Sequence, residues 1–169
     1  DLFVVKYNSS GTKQWTKQLG TSSDEYAYGV ATDSSGNVYV TGYTSGELDG
    51  HTSAGGNDVF LAKYNSAGTK QWTKQFGNAN SPTSDEGSGV TVDSAGNIYV
   101  SGHTQDALEG YTNTDAGAYD VFLVKYNSAG TKQWTKQFGS WSHDTAKGVT
   151  VDSSGNIYVA GATNGTAGQ

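Results

Sequence analysis

The chain has 169 residues, enough for one well-buried domain, with 24 Gly, one Pro, no Cys and no Met. Without cysteine it has no disulfide, no thiolate metal ligand and no thiol nucleophile. A formal net charge of −6 without a single arginine argues against a nucleic-acid partner, and no apolar run approaches the ~18 residues of a membrane helix, so no membrane insertion is expected.

In chain order, the first segment opens with DLFVVKYN (1–8) and closes with GVATDSSGNVYVTGYT (29–44). The second opens with DVFLAKYN (58–65) and closes with GVTVDSAGNIYVSGHT (89–104); the third opens with DVFLVKYN (120–127) and closes with GVTVDSSGNIYVAGAT (148–163). Between these lies a cassette, KYNSAGTKQWTKQFG, identical at 63–77 and 125–139 and nearly so at 6–20. Nine of the ten lysines belong to the cassette. The chain is therefore three units, 1–57, 58–119 and 120–169, in one continuous domain.

Each unit reads as four strands. Val59-Phe60-Leu61-Ala62 is a short apolar run suited to a strand buried on both faces. TKQWTKQF (69–76) alternates, with Lys70, Trp72, Lys74 and Phe76 on one face and Thr69, Gln71, Thr73 and Gln75 on the other. GVTV (89–92) and NIYVSG (97–102) are rich in β-branched residues. YNSAGTK and VDSAGNIY supply the turns: Asn65 or Asp93 bonds the backbone two residues on, and Gly68 or Gly96 takes the left-handed conformation. The expectation is two hairpins per unit, joined into one four-stranded antiparallel blade and followed by a polar linker.

The pattern D-[VL]-F-x-x-K-Y-N-x-x-G…W…G, followed by G-V-x-x-D-x-x-G-N-[VI]-Y-V-x-G-x-T, resembles the bacterial SBBP-type β-propeller repeat, three times over. The resemblance implies an all-β propeller segment of three blades in an extracellular or cell-surface bacterial protein. It implies no catalytic residues.

Closed propellers have at least four blades, so three leave two faces open. Trp15, Trp72 and Trp134, with Phe3, Phe60 and Phe122, are the expected packing residues between blades. Bare apolar faces of that size are rare on soluble monomers. The tail TAGQ joined to DLF mimics SAGGNDVF (53–60), which leads us to expect head-to-tail self-assembly, two chains making a six-bladed ring. A nine-bladed trimer, an open filament and a fragment of a larger propeller are the alternatives.

No enzymatic apparatus is legible. Asp33, Asp93 and Asp152 begin D-S-x-G-N turns and are expected to cap them rather than hold calcium. Lysine stems are expected to cover the indoles, with their ammonium groups reaching water or Asp1, Asp58 and Asp120. The Thr/Gln face is expected to form ladders between blades. His51, His103 and His143 occupy non-equivalent repeat positions, so neither a metal site nor a cofactor is expected. Asp24-Glu25 and Asp85-Glu86 are neighbours on a strand and point to opposite faces. What differs between units is aromatic: Tyr43, His103, Tyr111 and Trp141 are the candidate ligand contacts, with Tyr26, Tyr28, His51 and Tyr119 beside them. The expected function is a non-enzymatic structural or interaction module; the alternative is a propeller that binds a glycan or protein through its variable loops.

Overall fold

The computed structural model describes residues 1–78, 83–105, 107–108, 110–111 and 117–166; residues 79–82, parts of the second linker and the end of the third lie outside them. Twelve antiparallel strands follow in order: β1 Leu2–Tyr7, β2 Lys13–Leu19, β3 Glu25–Thr32, β4 Val38–Thr44, β5 Asp58–Tyr64, β6 Lys70–Phe76, β7 Asp85–Val92, β8 Ile98–Thr104, β9 Asp120–Tyr126, β10 Lys132–Phe138, β11 Asp144–Val151 and β12 Ile157–Thr163. One turn of 3-10 helix sits at Leu48–Gly50.

The turns form as their residues dictate. Asp93 Oδ1 accepts from the amides of Ala95 and Asn97, and its Oδ2 accepts from Asn97 Nδ2 and the Tyr99 hydroxyl. Asp33 and Asp152 do the same in their own units. Gly68, Gly96 and Gly130 sit at φ 78 to 81°, where a Cβ would be strained.

The sheets are phased differently from the sequence units. The two four-stranded sheets run β3-β4-β5-β6 and β7-β8-β9-β10, so each straddles a unit boundary. β4 pairs with β5 from Val38↔Tyr64 to Thr44↔Asp58, across the polar linker expected to separate blades. The step to the next sheet is instead the short loop between β2 and β3, as it is between β10 and β11. The physical reason is burial. β4, β5, β8 and β9 are buried almost throughout, whereas β6 and β10 carry exposed lysines and glutamines. Strands covered on both faces belong in the middle of a sheet, and polar alternating strands belong at its edge.

That phasing leaves two half-sheets, β1-β2 and β11-β12. β11 packs against β7 and β8, and β7 against β3 and β4, so the innermost strands stand side by side. They come close because glycines meet there: a Cβ on Gly29 would lie 3.0 Å from Gly89 Cα, and one on Gly89 would lie 3.1 Å from Gly148 Cα.

Two apolar clusters lie between successive sheets. Leu2, Val4, Val40 and Phe60 join the β1-β2 pair to the first four-stranded sheet. Val59, Leu61, Val100 and Phe122 join that sheet to the second. Phe60 and Phe122 are fully buried, and each stands opposite a glycine, Gly42 or Gly102, of the adjacent strand. Phe3, their counterpart, is 70% exposed, so it fills no space between sheets within the chain.

Candidate functional site

The repeat-to-repeat differences converge on one end of the inner strands. Tyr26↔Tyr43, Glu86↔His103 and Thr145↔Ala162 are the same cross-strand pair in three successive units, with three different chemistries. Two residues further along, the register shifts by one residue, leaving Tyr28, Ser88 and Lys147 as the extra residues of bulges. A bulge bends its strand and re-aims the side chain it carries. The pairs and bulges together make a polar-aromatic surface across the inner strands.

Tyr43 stacks on Tyr26 at 5.2 Å between ring centroids and meets Tyr28 at 6.0 Å. Its hydroxyl pKa is pushed up to about 12, first by burial and then by the neighbouring Tyr28 and Glu86. Tyr26 and Tyr28 are each about half exposed. His103 meets the edge of Tyr119 at 4.8 Å, and Tyr119 meets His143 at 5.1 Å. The Tyr119 amide donates to His143 Nδ1 at 3.2 Å.

His103 Nε2 lies 3.8 Å from Glu86 Oε2. Burial lowers the imidazole pKa to about 4, with the Lys147 charge adding to the effect. Burial also raises the Glu86 carboxyl, against the hydrogen bond from Asn57 and the field of Lys147. Near neutral pH the imidazole is therefore uncharged, and the pair is a polar contact rather than an ion pair. Among the described residues, His103 Nδ1 is buried without a hydrogen-bond partner. Among the described residues, no three His, Asp or Glu side chains gather as a metal would need.

Of the four candidate ligand residues, Tyr43 and His103 belong to this surface. Tyr111 does not: its hydroxyl donates to the Thr135 carbonyl at 3.0 Å, as His51 Nε2 meets Thr73 O at 2.9 Å one unit earlier. Both side chains pin a loop to the edge strand of its sheet. Trp141 lies in the loop between β10 and β11 and is 72% exposed. The glutamines expected to ladder between blades instead hold loops within one sheet: Gln75 Nε2 donates to Asp58 and to the Gly46 carbonyl, and Gln75 Oε1 accepts from the Leu48 amide. Asp58 thus meets a glutamine rather than a lysine. Lys70 pairs with Asp49.

The tryptophans behave as junction residues. Trp15 Nε1 donates to the Ser66 carbonyl at 3.2 Å, and its ring lies under Gly68, in the hairpin of the next sheet. Trp72 lies under Gly130 in the same way. Lys6 and Lys63 follow them across, their Nζ atoms donating to the carbonyls of Ser66 and Ser128. Trp134 meets Tyr99 of its own sheet at 6.2 Å.

The SBBP β-propeller repeat matches residues 14–49, 71–108 and 133–167. The chain belongs to that family. Each matched stretch begins in the last strand of one sheet and ends beyond the second strand of the following one. Two relatives carry similar stretches. The regulatory protein FlaEY of Caulobacter vibrioides is 29% identical over 180 positions, covering 99% of this chain and 18% of FlaEY. An uncharacterized WD repeat-containing protein of Acanthamoeba polyphaga mimivirus is 32% identical over 124 positions, covering 67% of this chain and 9% of that protein. The chain thus spans less than a fifth of the length of either.

Proposed function

We propose that this SBBP segment is a non-enzymatic interaction module of a secreted or cell-surface protein, docking head-to-tail onto further copies of itself. The carrying observation is unequal burial at equivalent repeat positions. Phe60 and Phe122 are 0% exposed and Phe3 is 70%; Val90 is 8% exposed and Val30 is 66%. The same residue types that fill the inner junctions lie bare at the flanks, and apolar patches of that kind mark interaction surfaces. The relatives' names, a regulatory protein and a WD-repeat protein, fit an interaction role. The Gly/Ser/Thr/Asn-rich composition supports the extracellular setting. The absence of enzymatic activity is part of the proposal and rests on His103, which among the described residues lacks the orienting partner that a general base uses.

The test is solution mass by sedimentation or light scattering. Self-docking predicts a particle of more than one 17.7 kDa chain. A single-chain mass at every concentration up to about 100 µM would refute it.

The Tyr26–Tyr28–Tyr43 stack favours a second reading, a glycan or protein ligand on the inner-strand surface. Exposed stacked rings beside polar groups suit such a partner. Binding on a glycan array that disappears with Tyr43→Ala while the fold persists is the expected result; an array at background would remove this reading.

A further inference from the structure

The two half-sheets are complementary halves of one blade. Among the described residues, β11-β12 corresponds to the inner pair β3-β4 and pairs with no outer pair, and β1-β2 corresponds to the outer pair β5-β6 and pairs with no inner one. We propose that β1-β2 of a second copy of this chain adds to the free edge of β12, completing a blade in the order β11-β12-β1-β2, and that two copies do this reciprocally to close a six-bladed ring. The inference rests on the self-docking reading above and specifies its contact: a strand pairing in one fixed register.

The register follows from the two intact blades. β4↔β5 and β8↔β9 pair residue for residue in the same way, from Val38↔Tyr64 or Ile98↔Tyr126 to Thr44↔Asp58 or Thr104↔Asp120. Transferred to the open edges, Ile157 stands opposite Tyr7 of the second copy, Val159 opposite Val5, Gly161 opposite Phe3 and Thr163 opposite Asp1. Main-chain hydrogen bonds supply the pairing, and alternate side chains supply the selectivity.

Each side-chain group exposed at one edge has its intact counterpart inside the chain. Phe122 packs over Gly102 and edge-on to Phe76 at 5.8 Å. In the proposed blade Phe3 covers Gly161 and meets Phe138, which is 45% exposed in the single chain. A cavity of about 170 Å³ already lies there, bordered by Val121, Phe138, Val159 and Gly161. Tyr39 and Tyr99 each hold a tryptophan of their own blade at 6.2–6.3 Å and a lysine ammonium over the ring at 5.2–5.3 Å. Tyr158, the third member, is 56% exposed, and Trp15 and Lys6 of the second copy would take those places.

The neighbouring junction is met at the same time. Trp15 and Trp72 each lie under the hairpin glycine of the next blade; Trp134 is the third such tryptophan, and Gly11 is the one cassette glycine with open space above it. Blade completion sets Gly11 of the second copy over Trp134. The glycine row continues in the same sense: a Cβ on Gly148 would meet nothing within 4 Å, and Gly29 of the second copy is its complement. Propellers typically close with 4–8 blades. The described residues form two four-stranded sheets and two half-sheets, so two copies joined in this way would make six blades, within that range.

The chain has no cysteine, which makes cross-linking a clean test. In the double variant Val5→Cys/Val159→Cys, the paired positions would stand ~4.5–5.5 Å apart between Cα atoms, within disulfide reach. Mild oxidation is expected to give a covalent two-chain species that reverts to one chain on reduction. The slipped control Val5→Cys/Ala160→Cys is expected to give none, since a one-residue slip turns side chains to opposite faces. Phe3→Asp, at a site exposed in the single chain, is expected to keep the circular dichroism spectrum and shift the mass from two chains to one.

A two-chain mass without the Val5–Val159 link, or with linking of the slipped pair, overturns strand completion while leaving self-docking standing. A one-chain mass for the unmodified protein overturns both. A ladder of linked higher multiples overturns closure at two copies.

Discussion

Phe122→Ala should be one of the costliest single truncations in the chain. The ring is fully buried, stands over Gly102 and meets Phe76 edge-on. Exposing the lost apolar surface on unfolding is worth about 1.5–3 kcal/mol, and the cavity left between two sheets adds to it, for a total of about 3–5 kcal/mol. Against the ~5–15 kcal/mol of an ordinary domain, that is at least about a fifth of the total. In urea, with m near 2 kcal/mol/M, the midpoint should fall by roughly 2 M with m unchanged. Phe3→Ala is the internal control, being the same substitution at the same repeat position. At dilutions where the chain is single it should cost under ~0.5 kcal/mol, since the ring is 70% exposed. A loss below ~1 kcal/mol for Phe122→Ala, or equal losses at the two positions in the single chain, would refute the packing assignment and the blade phasing with it.

His103 should make the fold acid-sensitive. Its folded-state pKa near 4 lies below the ordinary 6.5, so between those values the unfolded chain takes up a proton that the folded chain refuses. Stability should fall as pH drops from about 6.5 to 4, by up to about 3 kcal/mol, and then level off. Glu86, raised by burial, contributes in the opposite sense, so the slope is best read in a Glu86→Gln background and should flatten when His103→Gln is added. Gly130→Ala should cost well over the ~1–2 kcal/mol of left-handed strain, because its Cβ would also lie 3.0 Å from the Trp72 ring; Gly11→Ala, with the same backbone and open space, should cost only the strain in the single chain, by thermal melting. Tyr111→Phe should lose about 1 kcal/mol through its bond to Thr135 and leave any glycan binding intact.

Much of the fold was legible because it depends on local chemistry. Asp93, Asn97 and Gly96 specify a turn whatever surrounds them, and each strand announced itself by its branched and aromatic residues. Linker length and polarity do not reveal how the strands group, because β4 pairs with β5 across a long polar linker. Four strands in a row allow two groupings, and the contrast between DVFLAKY, with its apolar run Val59-Phe60-Leu61-Ala62, and KQWTKQF, apolar only at Trp72 and Phe76, decides which strands are central. The candidate site was half legible. Divergence between repeats pointed to Tyr43 and His103. It also pointed to Tyr111, because a loop anchor can change from His51 to Tyr111 while keeping its carbonyl partner. Lys147 escaped notice because a bulge position has no regular side-chain alternation to mark it.

The phasing also explains why the cassette repeats its tryptophan, its first lysine, its hairpin glycine and its glutamine. Each copy plays two roles in two different junctions. Its tryptophan and its first lysine reach forward to the next blade, while its serine carbonyl and hairpin glycine receive the tryptophan and lysine of the blade before. A change in the forward-reaching half of one cassette is felt by the receiving half of its neighbour, so the copies cannot drift singly without loosening a junction. The glutamine answers a separate demand, holding the linker loop to its own blade through an aspartate and two backbone groups. Identity among the three copies therefore satisfies every internal junction with one solution. Gly11 is the cassette glycine left without such a ring, with nothing within 4 Å of its Cβ position, and the strand-completion proposal gives it Trp134 of a second copy.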